Sequence, residues 1–130
     1  MTEPLLGRFD AVFADLDGVV YAGPHAIPGA PEALQGLEAA GVKLAYITNN
    51  ASRSSATVAE HLRELGAPAT AENVFGSAQA GAELLAGLVP AGSTVLVTGS
   101  ATLTEQVRAQ GLVPVTSAED RPAAVIQGFD

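Results

Sequence analysis

The chain has 130 residues, 14 acidic and 6 basic, for a formal net charge of −8, with 48% hydrophobic and 15% charged residues. That is a globular composition, long enough for a compact domain with a real core, and not a disordered one. The negative field repels nucleic-acid phosphates and anionic membranes, and the absence of Cys excludes disulfides, thiolate metal sites and a cysteine nucleophile.

No apolar run approaches the ~20 residues a membrane helix needs, and the N-terminus lacks the pattern of a signal peptide. The expectation is a soluble protein of a reducing cytoplasm, with neither a membrane nor a nucleic acid as partner. A small phosphorylated substrate stays compatible with the charge, because a bound divalent cation reverses the local potential.

Phe9 to Ala14 reads as a short apolar strand of the kind buried on both faces in a parallel sheet. It ends at Asp15-Leu16-Asp17-Gly18. Residues 18–30, with Gly18, Gly23, Pro24, Pro28 and Gly29, read as a loop or small hairpin. Pro31 suits a first helical turn, Leu34 and Leu37 recur at helical spacing, and Gly41 stops the helix. Val42 to Thr48 is a second strand, ending in Asn49-Asn50. Ser52, Ser54 and Ser55 are candidate caps for a helix with Val58, Leu62 and Leu65 as its buried stripe, closed by Gly66 and Pro68.

Thr70 to Phe75 is ambiguous between elements. Ser77 is a candidate cap for a helix to about Leu88, with Leu84, Leu85 and Leu88 expected inward. After a turn at 90–93, Thr94 to Val97 reads as a strand, Leu103 to Gln110 as a helix stopped by Gly111, and Val113 to Val115 and Ala123 to Ile126 as strands. The alternation predicts an α/β fold with a largely parallel sheet. A chain that stops so soon after its last strand reads as cut rather than completed.

Ligands of open α/β sheets sit beyond the carboxyl ends of the strands. Two such ends carry polar clusters here, Asp15/Asp17 and Thr48/Asn49/Asn50. Two carboxylates two residues apart need a cation or a proton between them, and an all-oxygen set with open positions suits Mg²⁺. A carboxylate can attack phosphorus, a second can serve as general acid and base, and a hydroxyl with a backbone amide can hold phosphoryl oxygens. Alone, the Asp-x-Asp-Gly reads equally as a plain turn and Thr-Asn-Asn as a turn or cap. Each placed directly after an apolar strand, the pair is far more specific.

Other residues carry weaker signals. His25 reads as a solvent-exposed loop residue, and His61, beside its helix stripe, is expected at the surface. For Arg53, a phosphate contact and a solvated loop cation weigh about equally. Gly99-Ser100 reads as a tight turn in preference to an anion site. Neither a dinucleotide-binding glycine motif nor a P-loop is present.

Phe13-Ala14-Asp15-Leu16-Asp17-Gly18-Val19-Val20-Tyr21 resembles the first signature of haloacid dehalogenase-like phosphatases. Pro28-Gly29-Ala30 and Ile47-Thr48-Asn49-Asn50-Ala51-Ser52-Arg53-Ser54 resemble its NagD-like and 4-nitrophenylphosphatase-like branch, and the likeness continues through Thr94–Leu103 and Ala123–Asp130. The resemblance implies Asp15 as nucleophile and Asp17 as general acid/base. It places Mg²⁺ on the Asp15 carboxylate and the Asp17 carbonyl, and phosphate on Thr48 and Asn49. Asn50 and Arg53 are candidates for the substrate loop. It also implies a HAD-like core over residues 1–93 and the start of an α/β cap over 94–130, the boundary being approximate.

The family pattern includes a later Lys and late acids that this chain does not match. Its only Lys is Lys43, at the second strand, and Asp120 and Asp130 lie in the cap-like part. The implied function is Mg²⁺-dependent hydrolysis of a small phosphorylated metabolite by a longer enzyme, the 130 residues alone being inactive. The alternative is a Mg²⁺- or phosphate-binding module completed by another chain. A phospho-receiver fits poorly, because receivers place the acceptor Asp after the third strand. An unfinished sheet would expose an edge, so self-association through that edge is also expected.

Overall fold

The computed structural model describes residues 4–129; Asp130, weighed above as a late acid, lies outside them. The chain forms two compact units, Met1–Thr48 with Ser55–Phe75, and Asn49–Ser54 with Gly76–Asp130.

In the first unit, β1 (Ala11–Asp15) leads into a short antiparallel hairpin of β2 (Tyr21–Ala22) and β3 (His25–Ala26). Helix α1 (Ala30–Ala39), β4 (Lys43–Thr48), α2 (Ser55–Glu64) and β5 (Val74–Gly76) follow, with a 3₁₀ turn at Ala71–Asn73 before β5. The sheet order is β1-β4-β5, with β1 and β4 parallel and Asp15 opposite Ile47. Helix α1 begins after Gly29, whose φ of 84° suits a residue without Cβ, and has a proline in its first turn.

Period-two alternation divides the sheet into two unlike faces. Ala14, Tyr46 and Val74 point into a core with Leu34 of α1 and Val58, Ala59 and Leu62 of α2. Phe13, Ile47 and Phe75 lie on the other face, and Phe13 is 71% exposed. The expected strand buried on both faces is therefore corrected: α1 and α2 pack against one face only. The strand also starts at Ala11, because Phe9 ends a 3₁₀ turn over Leu5–Arg8.

The second unit contains α3 (Ser77–Ala86), β6 (Thr94–Thr98), α4 (Ala101–Ala109), β7 (Val113–Val115) and β8 (Ala124–Gln127). Its sheet is parallel throughout, in the order β7-β6-β8. Ala82, Val95, Val107 and Leu112 form its core, flanked by Leu85, Val97 and Ile126. Leu84 and Leu88 are 68% and 72% exposed, so the inward stripe expected for α3 is wrong at both. The buried positions are Ala78 and Ala82, four residues apart, which lets the helix approach closely through small side chains. Ala82 of α3 shares its core with Val95 of β6, so α3 belongs with the second unit.

Candidate active site

Asp15 is the last residue of β1, and its side chain is exposed. Its Oδ1 accepts the Leu16 amide at 2.9 Å. This contact holds one carboxylate oxygen against the backbone. Leu16 is fully buried, so the chain is anchored in the core between the two acids. Asp17 is exposed and pairs with Tyr21 in an isolated bridge, and Gly18, at φ 79°, makes the turn that a Cβ would strain.

Thr48 ends β4, one residue past the partner of Asp15, and is 3% exposed. The parallel register thus brings Asp15, Asp17 and Thr48 to the same end of one sheet. Asn49 follows Thr48 in the chain and opens the segment Asn49–Ser54 of the second unit.

That segment is held by hydroxyls from the starts of two helices. Ser77 Oγ donates to the Asn49 carbonyl at 3.0 Å, Ser100 Oγ to Ala51 at 2.8 Å, and Thr102 Oγ1 to Ser52 at 3.1 Å. Ser100 also caps α4, accepting the Leu103 amide at 3.2 Å. It is a structural cap, where the sequence reading expected a tight turn at Gly99-Ser100. Ser77 does not cap α3 with its side chain, since Gly76 is the N-cap. Sequence reading assigned these three hydroxyls no part in the site. Serines and threonines at helix starts are so often caps that the signal was ambiguous.

Asn50 Oδ1 accepts both the amide and the hydroxyl of Ser52, at 2.8 and 2.6 Å, which closes an Asx turn. The side chain named as a substrate-loop candidate thus shapes the loop itself. Arg53 and His25 are exposed. His61, expected at the surface, is half-buried: its side chain is 18% exposed, with its ring against Tyr21.

Among the described residues no group of three or more His, Cys, Asp or Glu comes together. The donors present are two exposed carboxylates and neighbouring backbone carbonyls. This all-oxygen set fits Mg²⁺, which takes one or two carboxylates and fills its other positions with water and substrate phosphate.

Parallel α/β sheets with acids at a strand end place the chain among α/β proteins with a strand-end ligand site. The haloacid dehalogenase-like hydrolase model matches residues 12–113, and the chain belongs to that family. It is 46% identical to a D-glycerol 3-phosphate phosphatase of Mycobacterium tuberculosis over 92% of this chain and 33% of that protein. The structure of the M. tuberculosis glycerol phosphate phosphatase in complex with magnesium matches with a TM-score of 0.87 at 45% identity, over 95% of this chain and 37% of the other. NagD from Escherichia coli matches with a TM-score of 0.81 at 27% identity, over 93% and 46%. The chain therefore spans between a third and a half of the length of these proteins.

Among the described residues no helix is long and apolar enough to cross a membrane.

Proposed function

We propose that this chain carries the nucleophile half of a Mg²⁺-dependent phosphatase that hydrolyses a small phosphorylated metabolite. The observation that carries the reading is the parallel β1/β4 register, which sets Asp15 beside the end of β4 where Thr48 begins the Thr-Asn-Asn run.

In the first step an Asp15 carboxylate oxygen attacks phosphorus. The bond from phosphorus to the leaving oxygen breaks, and the Asp17 carboxylic acid gives that oxygen its proton. In the second, water attacks the aspartyl-phosphate, Asp17 takes a proton from it, and the bond between Asp15 and phosphorus breaks to release inorganic phosphate. The Thr48 hydroxyl and the Asn49 amide hold the transferring oxygens, and Asn50 shapes the loop beside them. The Asp15 carboxylate and the Asp17 carbonyl would hold Mg²⁺, which when bound offsets the negative charge of the phosphoryl group.

Residues 94–130 are read as the opening of an α/β cap, the boundary being approximate. Glycerol 3-phosphate is the substrate to test first, because the relative at 46% identity bears that name. The cytoplasm is the proposed compartment, and pairing of the open edges of β1 or β5 the proposed route of self-association.

The test is Mg²⁺-dependent capture of beryllofluoride, a mimic of the acyl-phosphate, followed by fluorine NMR on the 130-residue chain. A bound signal that disappears in Asp15→Asn is expected. A bound signal that persists in Asp15→Asn would favour a phosphate-binding module completed by another chain, and no bound signal would overturn both.

A further inference from the structure

Beyond Gly18 the chain folds back on the Asp17 turn. The Gly18 amide donates to the Tyr21 carbonyl at 2.8 Å, and the amides of Val19, Val20 and Tyr21 converge on the Leu16 carbonyl at 3.1, 2.9 and 3.3 Å. The Asp17 backbone is thus enclosed by a loop whose far side is Tyr21 to Gly23.

Helix α2 packs Val58, Ala59 and Leu62 in one core with Val20 and Tyr21, and it meets the Gly23 carbonyl through His61. His61 Nε2 lies 3.1 Å from the Gly23 carbonyl, and its ring stands edge-on to Tyr21 with centroids 4.9 Å apart at 73°. A carbonyl only accepts, so Nε2 is the donor and carries the hydrogen. Glu64 Oε2 is 3.9 Å from Nδ1, beyond hydrogen-bond reach. Gly23 sits at φ 56°, the left-handed region that a residue without Cβ adopts readily. The hairpin is only two residues per strand, too short to hold itself.

We propose that His61 is a positioning residue for Asp17. Through Nε2 and the Gly23 carbonyl it ties the hairpin to α2, and the hairpin fixes the Asp17–Gly18 turn. The ring packing on Tyr21 fills space; the hydrogen bond sets the position. The inference rests on the reading of Asp17 as general acid/base only for its consequence in catalysis. The hairpin's dependence on His61 is measurable without any turnover, so the two readings fail separately.

The test is amide hydrogen exchange by NMR on the 130-residue chain, comparing His61→Phe with His61→Gln. Phe keeps an aromatic edge for Tyr21 and lacks the donor, whereas Gln keeps a donor and lacks the ring. In His61→Phe the Gly18 and Tyr21 amides are expected to exchange about five- to tenfold faster, the factor one net hydrogen bond represents. The β4 amides should keep their rates, and His61→Gln should return Gly18 and Tyr21 close to the parent rate. Unchanged exchange in His61→Phe would overturn the proposal. So would equal acceleration in the two variants, or equal acceleration across β4, either of which would mark His61 as a packing residue.

Discussion

Tyr46 stands at the centre of β4 with no exposed surface, and its hydroxyl donates to the Pro68 carbonyl at 2.7 Å. Burial, and then the negative charge of Glu38, push its pKa from the ordinary 10.0 to about 12. Tyr46→Phe removes the hydroxyl and leaves the ring in place. Near neutral pH the loss is one net hydrogen bond plus a carbonyl left without its partner, about 1–2 kcal/mol. The pH dependence runs against the parent chain. A folded-state pKa above the unfolded one gives stability that is complete below about pH 10 and is lost as the pH rises through about 12. By about pH 11 the parent has lost roughly 1 kcal/mol that the Phe variant never had, since each pH unit in that window is worth about 1.4 kcal/mol. The other titrating groups act equally on both proteins and cancel in the difference. Urea unfolding followed by far-UV circular dichroism at about pH 8 and about pH 11 measures it. The gap between the two proteins is expected to close or reverse at the higher pH. A gap that stays constant would refute the assignment of a buried, neutral, hydrogen-bonded Tyr46.

Two further substitutions probe the second unit. Ser100→Ala removes both the cap on the Leu103 amide and the donor to the Ala51 carbonyl, and urea unfolding should show a loss of about 1–2 kcal/mol; a loss below about 0.5 kcal/mol would contradict the cap. A Cβ at Gly128 would lie 2.8 Å from Leu103 Cδ2, and Leu103 is pinned against Ala51 and Ala78. Gly128→Ala should therefore cost about 1–3 kcal/mol, and combined with Leu103→Val the loss should fall short of the sum of the two singles. Additive losses would mean that the two residues do not press on each other.

The elements whose signal was strong in the sequence are those with large apolar residues at regular spacing or with glycine at their ends. Leu34, Val58 and Leu62 announced α1 and α2, and Gly41 and Gly111 marked where helices stop. The Asp15/Asp17 and Thr48/Asn49 pairs were legible because each directly follows an apolar strand. Helix α3 was found but rotated in the mind's eye of the pattern: its buried stripe is alanine, which weighs little, while Leu84 and Leu88 weigh heavily and face out. Strand β1 misled for a related reason. Phe13 makes its run continuous, and a continuous run reads as two covered faces when helices cover one. The role of Asn50 in its own turn, and the contact of His61 with Gly23, join residues by backbone geometry that no local pattern encodes.

The central claim is that this chain holds the nucleophile and part of the phosphate cradle, and that turnover needs groups it does not contain. Its most direct test is Mg²⁺-dependent phosphate release from glycerol 3-phosphate, measured on a sample whose intact mass is the 13.1 kDa of the sequence. The account expects no release above the buffer rate. Release at that mass that vanishes in Asp15→Asn would contradict it, showing that the acids and hydroxyls present here suffice.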